Sequence, residues 1–236
     1  MISAIVISFD DHKYLKDCIA SVSFVDELII IGKMEQIVRS ELQHSSPIQY
    51  IKSESVDVYQ MTQDAQKKAS HKWILALEAN RCVSNPLSQE IIEIATNAHP
   101  SAVYNVKTRF NFMGKWMQYS GYRTSISPLL YPTKVTDSKL NTNTLKHPLD
   151  EIYLDFDSYN ERLTKKAKQR ASELFARKKR PNFFHLLWKP LWELKVNFVF
   201  KLGFLDGKEG FVFAYLKAFE EFKTYLFLWL MYRNIE

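Results

Sequence analysis

The sequence predicts an α/β fold: a mostly parallel sheet with helices on both faces, followed by a helical, basic and aromatic C-terminal extension. Three observations predict this class. Short apolar runs alternate with segments of helical periodicity through the first half of the chain. One run, residues 73–77, is apolar at every position, as strands buried on both faces are. Basic and aromatic residues concentrate after residue 155.

The predicted elements follow in order. Strands are expected at residues 3–9, 27–31, 48–51, 73–77 and 102–107, and helices at residues 14–22, 61–68 and 86–97. The strands at residues 3–9, 27–31 and 73–77 are apolar runs, and the run at residues 48–51 is weaker. The helix at residues 14–22 carries apolar residues on one face, and the helix at residues 86–97 begins at a proline. Strands that alternate with helices in this way predict parallel pairing with helices on both faces. We therefore predict an α/β domain over residues 1–155.

The middle of the chain, residues 108–150, is predicted to be irregular and is rich in aromatic residues. These are Phe110, Phe112, Trp116, Tyr119 and Tyr122, with glycines at Gly114 and Gly121. Aromatic faces beside glycine turns suit stacking against sugar rings or a nucleobase. The same residues equally suit a small satellite core under loops folded onto the sheet edge. The sequence leaves both interpretations open.

Residues 156–236 are predicted to form a second, helical region. Residues 161–201 hold twelve Lys or Arg and three Glu, a local charge of +9 in a chain of net charge +6, so the remainder carries −3. Aromatics interleave with these bases, a composition typical of segments at an anionic membrane interface. Nucleic acid is the competing anion, but no nucleic-acid recognition motif is present, so no such partner is predicted. The last helix is expected at residues 211–232, and its apolar stripe is expected to pack on the protein itself. The stripe consists of Phe211, Tyr215, Ala218, Phe219, Phe222, Leu226 and Trp229.

Length and composition bound the remaining classes. A chain of 236 residues with 46% hydrophobic residues can bury a core of one large domain or of a domain with an appendage. Cys18 and Cys82 form neither a metal pattern nor a disulfide framework, which favours a reducing, cytoplasmic compartment. Residues 1–9 are expected to be a strand and not a signal peptide. No run of about 18 apolar residues predicts a membrane span.

Polar side chains follow the apolar run of residues 73–77. Glu78 and Asn80 place two oxygen-bearing groups two residues apart at the carboxyl end of a predicted parallel strand, where α/β sheets bind ligands. If the chain stays extended through Asn80, both side chains lie on one face and could hold a divalent cation bridging a diphosphate. The alternative is a strand end whose polar residues cap the next helix.

Five stretches of the chain carry a resemblance to a known family. They are residues 5–7 with 18–22, residues 25–30, residues 73–80, residues 112–116 and residues 202–211. With these stretches in this order, the chain resembles the family 2 glycosyltransferases. More narrowly, it is similar to the branch of bacterial lipopolysaccharide-core β-glucosyltransferases.

The resemblance implies a nucleotide-sugar-binding domain of the glycosyltransferase A type and an inverting displacement. It implies a nucleotide-sugar donor, a lipid-linked glycan acceptor and a peripheral position on the inner face of the cytoplasmic membrane. In such enzymes Mg²⁺ or Mn²⁺ held by an Asp-x-Asp loop neutralises the leaving diphosphate. A carboxylate base deprotonates the acceptor hydroxyl.

Carried over by position, the resemblance assigns the donor residues. Asp10 and Asp11 match the pair near the nucleotide, and Glu78 and Asn80 match the metal-binding loop with one formal charge fewer, which predicts a weakened metal site. Arg81 stands where the family has an acidic residue, so it would oppose a metal or replace it at the diphosphate.

The base and the nucleobase contact are less well matched. One register pairs His147 with Asp150 or Glu151 as the catalytic base, and the other places Thr133 and Lys134 there and leaves no base. The family's nucleobase-binding aspartate aligns with Gly32, so that binding group is absent.

Three hypotheses follow. The first is an active glycosyltransferase of cell-envelope glycan or lipopolysaccharide assembly. The second is a catalytically degenerate relative, a pseudoenzyme that serves as a binding or scaffold module in the same pathway, which the departures at Gly32, Asn80, Arg81 and Lys134 favour. The third is a transferase that clamps the diphosphate with Arg81 and Lys107 and needs no metal.

Overall fold

The structure is a computed structural model that describes residues 1–9, 12–32, 46–53, 55, 57–97, 101–121, 125–134 and 141–235. The chain divides into two compact units. The first, the α/β unit, comprises Met1–Arg109 and Thr124–Ile152. The second, the helical unit, comprises Phe110–Arg123 and Tyr153–Glu236.

The described residues form a mixed sheet. Its strands are β1 (Ile2–Ser8), β2 (Glu27–Gly32), β3 (Ile48–Lys52), β4 (Trp73–Glu78), β5 (Arg81–Cys82), β6 (Ala102–Phe112), β7 (Lys115–Met117), β8 (Ile126–Pro132), β9 (Asn141–Thr144) and β10 (Leu149–Tyr153). Among the described residues the strand order is β3-β2-β1-β4-β8-β6-β10-β5, and β7 and β9 pair with β6. Strands β3, β2, β1 and β4 run parallel, whereas β8 is antiparallel to both β4 and β6.

Helices cover both faces of the parallel strands. They are α1 (His12–Ser21), α2 (Val58–Gln66) and α3 (Asn85–Asn97). Because alternate residues of a strand point to opposite faces, Val6 packs in one cluster with Cys18 of α1 and Leu87 of α3, while Ile5 packs in another with Met61 of α2. The predicted α/β fold class is therefore confirmed, together with its helical C-terminal extension.

The prediction that residues 108–150 are irregular is wrong. Strand β6 continues to Phe112, and β7 to β10 follow it. Strands β7 and β9 give a weak local signal, because β7 has three residues and β9, Asn-Thr-Asn-Thr, is exposed at every position. Pairing with β6, and not an apolar pattern, makes them strands.

The helical unit contains α4 (Phe156–Ala176), α5 (Phe183–Lys195), a π-helical turn (Val196–Phe200), a 3-10 turn (Gly203–Asp206) and α6 (Gly207–Tyr232). Asp155 and Asn182 cap α4 and α5 by accepting hydrogen bonds from backbone N–H groups. Helices α4 and α5 both pack against α6. No helix in the described ranges is long and apolar enough to cross a bilayer.

The stripe predicted on the last helix is not the face that α6 buries. Phe213, Ala214, Tyr225 and Leu228 lie inside. Of the seven predicted stripe residues, Phe211, Tyr215, Phe219 and Trp229 are exposed, Phe222 and Leu226 are half-buried, and Ala218 is buried. Because α6 is apolar nearly all round, its sequence does not single out one face. Packing against α4 and α5 decides which side is inside.

The stretch at residues 202–211 forms a tight corner at the start of α6. A Cβ atom added to Gly210 would lie 1.9 Å from the backbone oxygen of Gly203, and one added to Gly203 would lie 2.5 Å from that of Asn197. Both glycines are therefore required for close backbone contact.

The same corner holds the loop after β7. The carboxylate of Asp206 accepts hydrogen bonds from the backbone N–H groups of Gln118 and Tyr119, both at 3.0 Å. Lys115 donates to Glu209 at 3.0 Å and to the backbone oxygen of Asp206. Two of the stretches that carry the family resemblance, residues 112–116 and 202–211, thus meet inside the helical unit. Their contacts stabilise the fold of this unit.

Candidate functional site

The carboxyl end of β4 is held by neighbouring backbone. Ala79 donates its N–H to the oxygen of Ile7 at 2.9 Å, and Ile152 donates its N–H to the oxygen of Asn80 at 2.9 Å. Strand β4 ends at Glu78, and the chain turns at Ala79 and Asn80 before β5 begins. The condition that the segment stays extended through Asn80 is therefore not met.

A buried charge cluster lies at this edge. The Nη2 atom of Arg81 is 3.2 Å from Oε1 of Glu78 and 3.3 Å from Oε2 of Glu151. The side chains of Arg81, Glu78 and Glu151 are 19%, 11% and 12% exposed. Antiparallel pairing of β5 with β10 sets Arg81 opposite Glu151, which brings together three of the residues that the sequence singles out.

Asp150, the other predicted base, has a guanidinium partner of its own. Nε and Nη2 of Arg109 donate to its two carboxylate oxygens at 2.7 and 2.8 Å, a bidentate pair. This hydrogen bonding raises the pKa of Arg109. The sequence gives no sign of this contact, because 41 residues separate the two partners.

Cys82 lies opposite Asp150 in the β5–β10 pairing. Burial raises the pKa of the Cys82 thiol to about 11, with further contributions from the carboxylates of Asp17 and Asp150. The sulfur is therefore a neutral thiol at pH 7, which makes it a poor nucleophile and metal ligand.

Asn80 is more deeply buried than Glu78 and Arg81, the other predicted donor-site residues in the described ranges, at 1% exposed. Neither Nδ2 nor Oδ1 of its amide has a hydrogen-bond partner within the described part of the chain. A buried amide without partners is costly, so such groups are uncommon in folded proteins.

The described residues of this edge do not fit a divalent cation. The guanidinium of Arg81 already occupies the place between the carboxylates of Glu78 and Glu151 that a metal would need. Across the described ranges, no group of three or more His, Cys, Asp or Glu side chains is arranged to hold a metal ion. The arrangement supplies a cationic guanidinium where the family resemblance implies Mg²⁺ or Mn²⁺.

His147 pairs with a residue that the sequence did not single out. Its Nδ1 atom lies 2.9 Å from Oε2 of Glu90, and the backbone N–H groups of Lys146 and His147 also donate to that carboxylate. Burial raises the pKa of the Glu90 carboxyl, but these hydrogen bonds together lower it by more, so the pKa lies below its ordinary value. Thr133 stands at the position of the catalytic pair in the second register of the family resemblance. It donates its backbone N–H to the backbone oxygen of Lys72.

The aromatic residues of the middle region divide by burial. Phe110 and Phe112 are fully buried and pack with Tyr153, Tyr159 and Phe213, so the stacking interpretation is wrong for these two and the core interpretation is right.

Other predicted contacts remain predictions. Trp116 is 40% exposed, so its stacking interpretation stays open. Tyr122, Asp10 and Asp11 lie outside the described residues.

Gly32, which aligns with the family's nucleobase-binding aspartate, has no room for a side chain. A Cβ atom there would lie 2.3 Å from the backbone oxygen of Ser8, its partner on β1. The two strands approach too closely for any larger residue.

We expect Gly32→Asp to lower the free energy of unfolding by about 3 kcal/mol, because the new Cβ forces β1 and β2 apart. It should not strengthen UDP binding. Lys52→Asp is the matched control, since Lys52 pairs with Gly32 across β2 and β3 and is exposed. Chemical denaturation of both variants and titration with UDP test this. A stable Gly32→Asp variant that binds UDP more tightly would contradict it.

Comparison with known proteins gives weak structural likenesses. No protein-family model matches the sequence. Residues 1–349 of TarS from S. aureus align with a TM-score of 0.48 at 14% identity, covering 99% of this chain and 91% of that one. The same protein in complex with UDP-GlcNAc aligns with a TM-score of 0.48 at 11% identity, covering 99% of this chain and 92% of that one. A nucleotidyl transferase from Methanothermobacter thermautotroptrophicus aligns with a TM-score of 0.40 at 15% identity, covering 63% of this chain and 88% of that one. At these scores the likenesses assign neither an activity nor a ligand to this chain.

Proposed function

We propose that this chain is a nucleotide-sugar-dependent glycosyltransferase of cell-envelope glycan or lipopolysaccharide assembly that binds its donor without a divalent ion. One observation carries the proposal. Arg81, Glu78 and Glu151 meet within ion-pair distance at the carboxyl ends of the parallel strands, the edge where α/β sheets bind nucleotides. A guanidinium matches two phosphate oxygens better than any other side chain does.

Arg81 is the group that would receive the donor diphosphate. At this edge its charge is shared between two carboxylates, so diphosphate must compete with Glu78 and Glu151 for the guanidinium. When Arg81 turns to the phosphates, Glu151 loses an ion-pair partner. The donor would thereby release a carboxylate beside its own reacting centre.

The proposed reaction is a single inverting displacement. The acceptor oxygen attacks the anomeric carbon and forms the new glycosidic bond, while the bond from that carbon to the diphosphate oxygen breaks. The electron pair leaves with the diphosphate, whose charge Arg81 stabilises. The acceptor proton passes to Glu151 or, if Arg109 releases it, to Asp150. Asp10 and Asp11 are proposed to contact the nucleotide, and Asn80 the donor.

The acceptor is proposed to be a lipid-linked glycan. The protein would then act on the inner face of the cytoplasmic membrane as a peripheral protein. The strongly basic region at residues 161–201 supports this, because lipid headgroups of that leaflet and diphosphate-linked lipids are both anionic.

Calorimetric titration with UDP, UDP-glucose and UDP-GlcNAc, each in EDTA and again with Mn²⁺, tests the donor site. We expect binding in EDTA, with little change on adding Mn²⁺. Arg81→Lys should weaken binding about tenfold, because it keeps the charge but loses the planar fork. Arg170→Lys is the control, since Arg170 also pairs with a buried carboxylate, that of Glu221, in the helical unit. Binding that requires Mn²⁺ and disappears in Glu78→Ala would overturn the metal-free proposal.

A second candidate function is a non-catalytic binding or scaffold module in the same pathway. The specific observation in its favour is that both predicted bases are ion-paired, Asp150 to Arg109 and Glu151 to Arg81. Donor binding without transfer or hydrolysis, over a panel of nucleotide sugars and membrane extracts, would favour this candidate. No binding by any donor would favour it more strongly.

A further inference from the structure

Helix α5 presents an apolar stripe to solvent. The stripe consists of Phe184, Leu187, Trp188, Leu191 and Trp192, spaced at i, i+3, i+4, i+7 and i+8. Their exposed fractions are 57%, 46%, 58%, 50% and 57%. This is the spacing of an amphipathic helix, but here the apolar side faces outward. We call these five residues the α5 stripe.

The opposite side of α5 already has its packing partners. His185 stacks on Tyr225 of α6 with ring centroids 4.7 Å apart, and Leu186 packs against the cluster of Ala171, Tyr225 and Leu228. None of the thirteen residues of α5 is fully buried. The helix is therefore anchored through its other face, and the stripe is left as a surface of the folded unit.

The apolar surface continues beyond the helix. Trp192 lies against Phe200 of the π-helical turn, with ring centroids 6.0 Å apart, and Phe200 is 60% exposed. The ammonium of Lys195 lies 5.8 Å from the ring centroid of Trp192 and 5.7 Å from that of Phe200. A cation set among exposed rings in this way suits a boundary between hydrocarbon and phosphate.

Positive charge flanks the stripe. Residues 177–180, Arg-Lys-Lys-Arg, are all exposed and are separated from α5 only by Pro181 and Asn182. Between residues 177 and 201 the chain has seven Lys or Arg and one Glu. Patches that are both apolar and cationic fit an anionic surface with an apolar interior.

We propose that the α5 stripe, with the basic residues 177–180, is the surface by which this protein docks on an anionic lipid bilayer. Tryptophan and phenylalanine side chains enter the headgroup and acyl boundary, and the bases contact lipid phosphates. A second copy of the chain is a poorer occupant, because it would bring like charges together at a symmetric contact. The proposal extends the proposed function to a named surface, but its argument rests on exposure and charge and not on the donor site.

Flotation of the full chain with vesicles tests the docking surface without any nucleotide sugar. The vesicles are phosphatidylcholine alone, and phosphatidylcholine with about one third phosphatidylglycerol. We expect binding to the anionic vesicles that weakens with added salt. Trp188→Ser with Trp192→Ser should reduce the partition constant about tenfold or more, since two exposed rings lose their burial in lipid. Replacing residues 177–180 with Gln should reduce it similarly and weaken the salt dependence.

Matched controls keep the result specific. Tyr59→Ser removes an aromatic ring that is 71% exposed on α2 in the α/β unit, and we expect it to leave binding unchanged. Brominated lipids should quench tryptophan fluorescence in the wild type and quench the Trp188→Ser, Trp192→Ser variant much less. Because all substituted residues are exposed, circular dichroism should show native folding in every variant.

Two results would overturn the proposal. The first is equal binding of the wild type and the Trp188→Ser, Trp192→Ser variant to anionic vesicles. The second is absence of vesicle binding together with a dimer, seen by sedimentation, that the same variant dissociates; the stripe would then be an interface between copies. Either result leaves donor binding by titration unaffected, so failure of this proposal is distinguishable from failure of the proposed function.

Discussion

Replacing Arg81 with Met should lower the free energy of unfolding by about 3 to 5 kcal/mol. The variant leaves the carboxylates of Glu78 and Glu151 buried near each other with no cation between them, and a buried charge that loses its partner is strongly destabilising. Chemical denaturation measures the loss. Hydrogen exchange gives a local readout at the amide of Ile152, which donates to the backbone oxygen of Asn80. That amide should exchange faster in the variant.

A second substitution identifies the cause. Adding Glu151→Gln to Arg81→Met removes one of the two carboxylate charges that have lost the guanidinium, so it should recover at least about 1 kcal/mol of the lost stability. Arg177→Met serves as the control, because Arg177 is exposed and should tolerate the change. Equal stability of Arg81→Met and the wild type would mean that the carboxylates do not depend on Arg81, and that the guanidinium is free for a ligand at no structural cost.

Asp206→Ala should lower the free energy of unfolding of the helical unit by about 3 kcal/mol. Asp206 is 3% exposed, and its carboxylate accepts from the N–H groups of Gln118 and Tyr119, which the variant leaves without an acceptor. Asp206→Asn keeps one acceptor oxygen and should cost about half as much. Chemical denaturation and hydrogen exchange at these two amides measure the effect.

Glu209→Gln is the matched control for this prediction. Glu209 neighbours Asp206 in the same corner, but it is well exposed where it pairs with Lys115. Exposed ion pairs contribute little to stability, so the free energy of unfolding of this variant should be close to that of the wild type. Similar losses for Asp206→Ala and Glu209→Gln would mean that the corner depends on its overall charge and not on the two backbone hydrogen bonds.

The sequence predicted the elements whose signal is local. The strand at residues 73–77 and the helix at residues 86–97 were placed to within a residue or two, because apolar runs and a proline at a helix start act on neighbouring residues. It failed for β7 and β9, whose residues carry no such pattern, and it also missed β8 and β10, although β8 contains the apolar run Leu129-Leu130-Tyr131. It also failed for the buried face of α6, where nearly every side is apolar.

The sequence by itself determined the α/β class, the strand that ends at Glu78, and the concentration of positive charge after residue 155. Each of these depends on composition or on spacing over a few residues. Only the tertiary structure decided that Arg81 lies between Glu78 and Glu151, that Arg109 holds Asp150, and that the α5 stripe faces outward. The physical reason is that Arg81 and Glu151, like Arg109 and Asp150, are far apart in the chain and are brought together by strand register. Helix packing likewise decides which side of α5 faces outward, and neither effect leaves a mark on the local pattern.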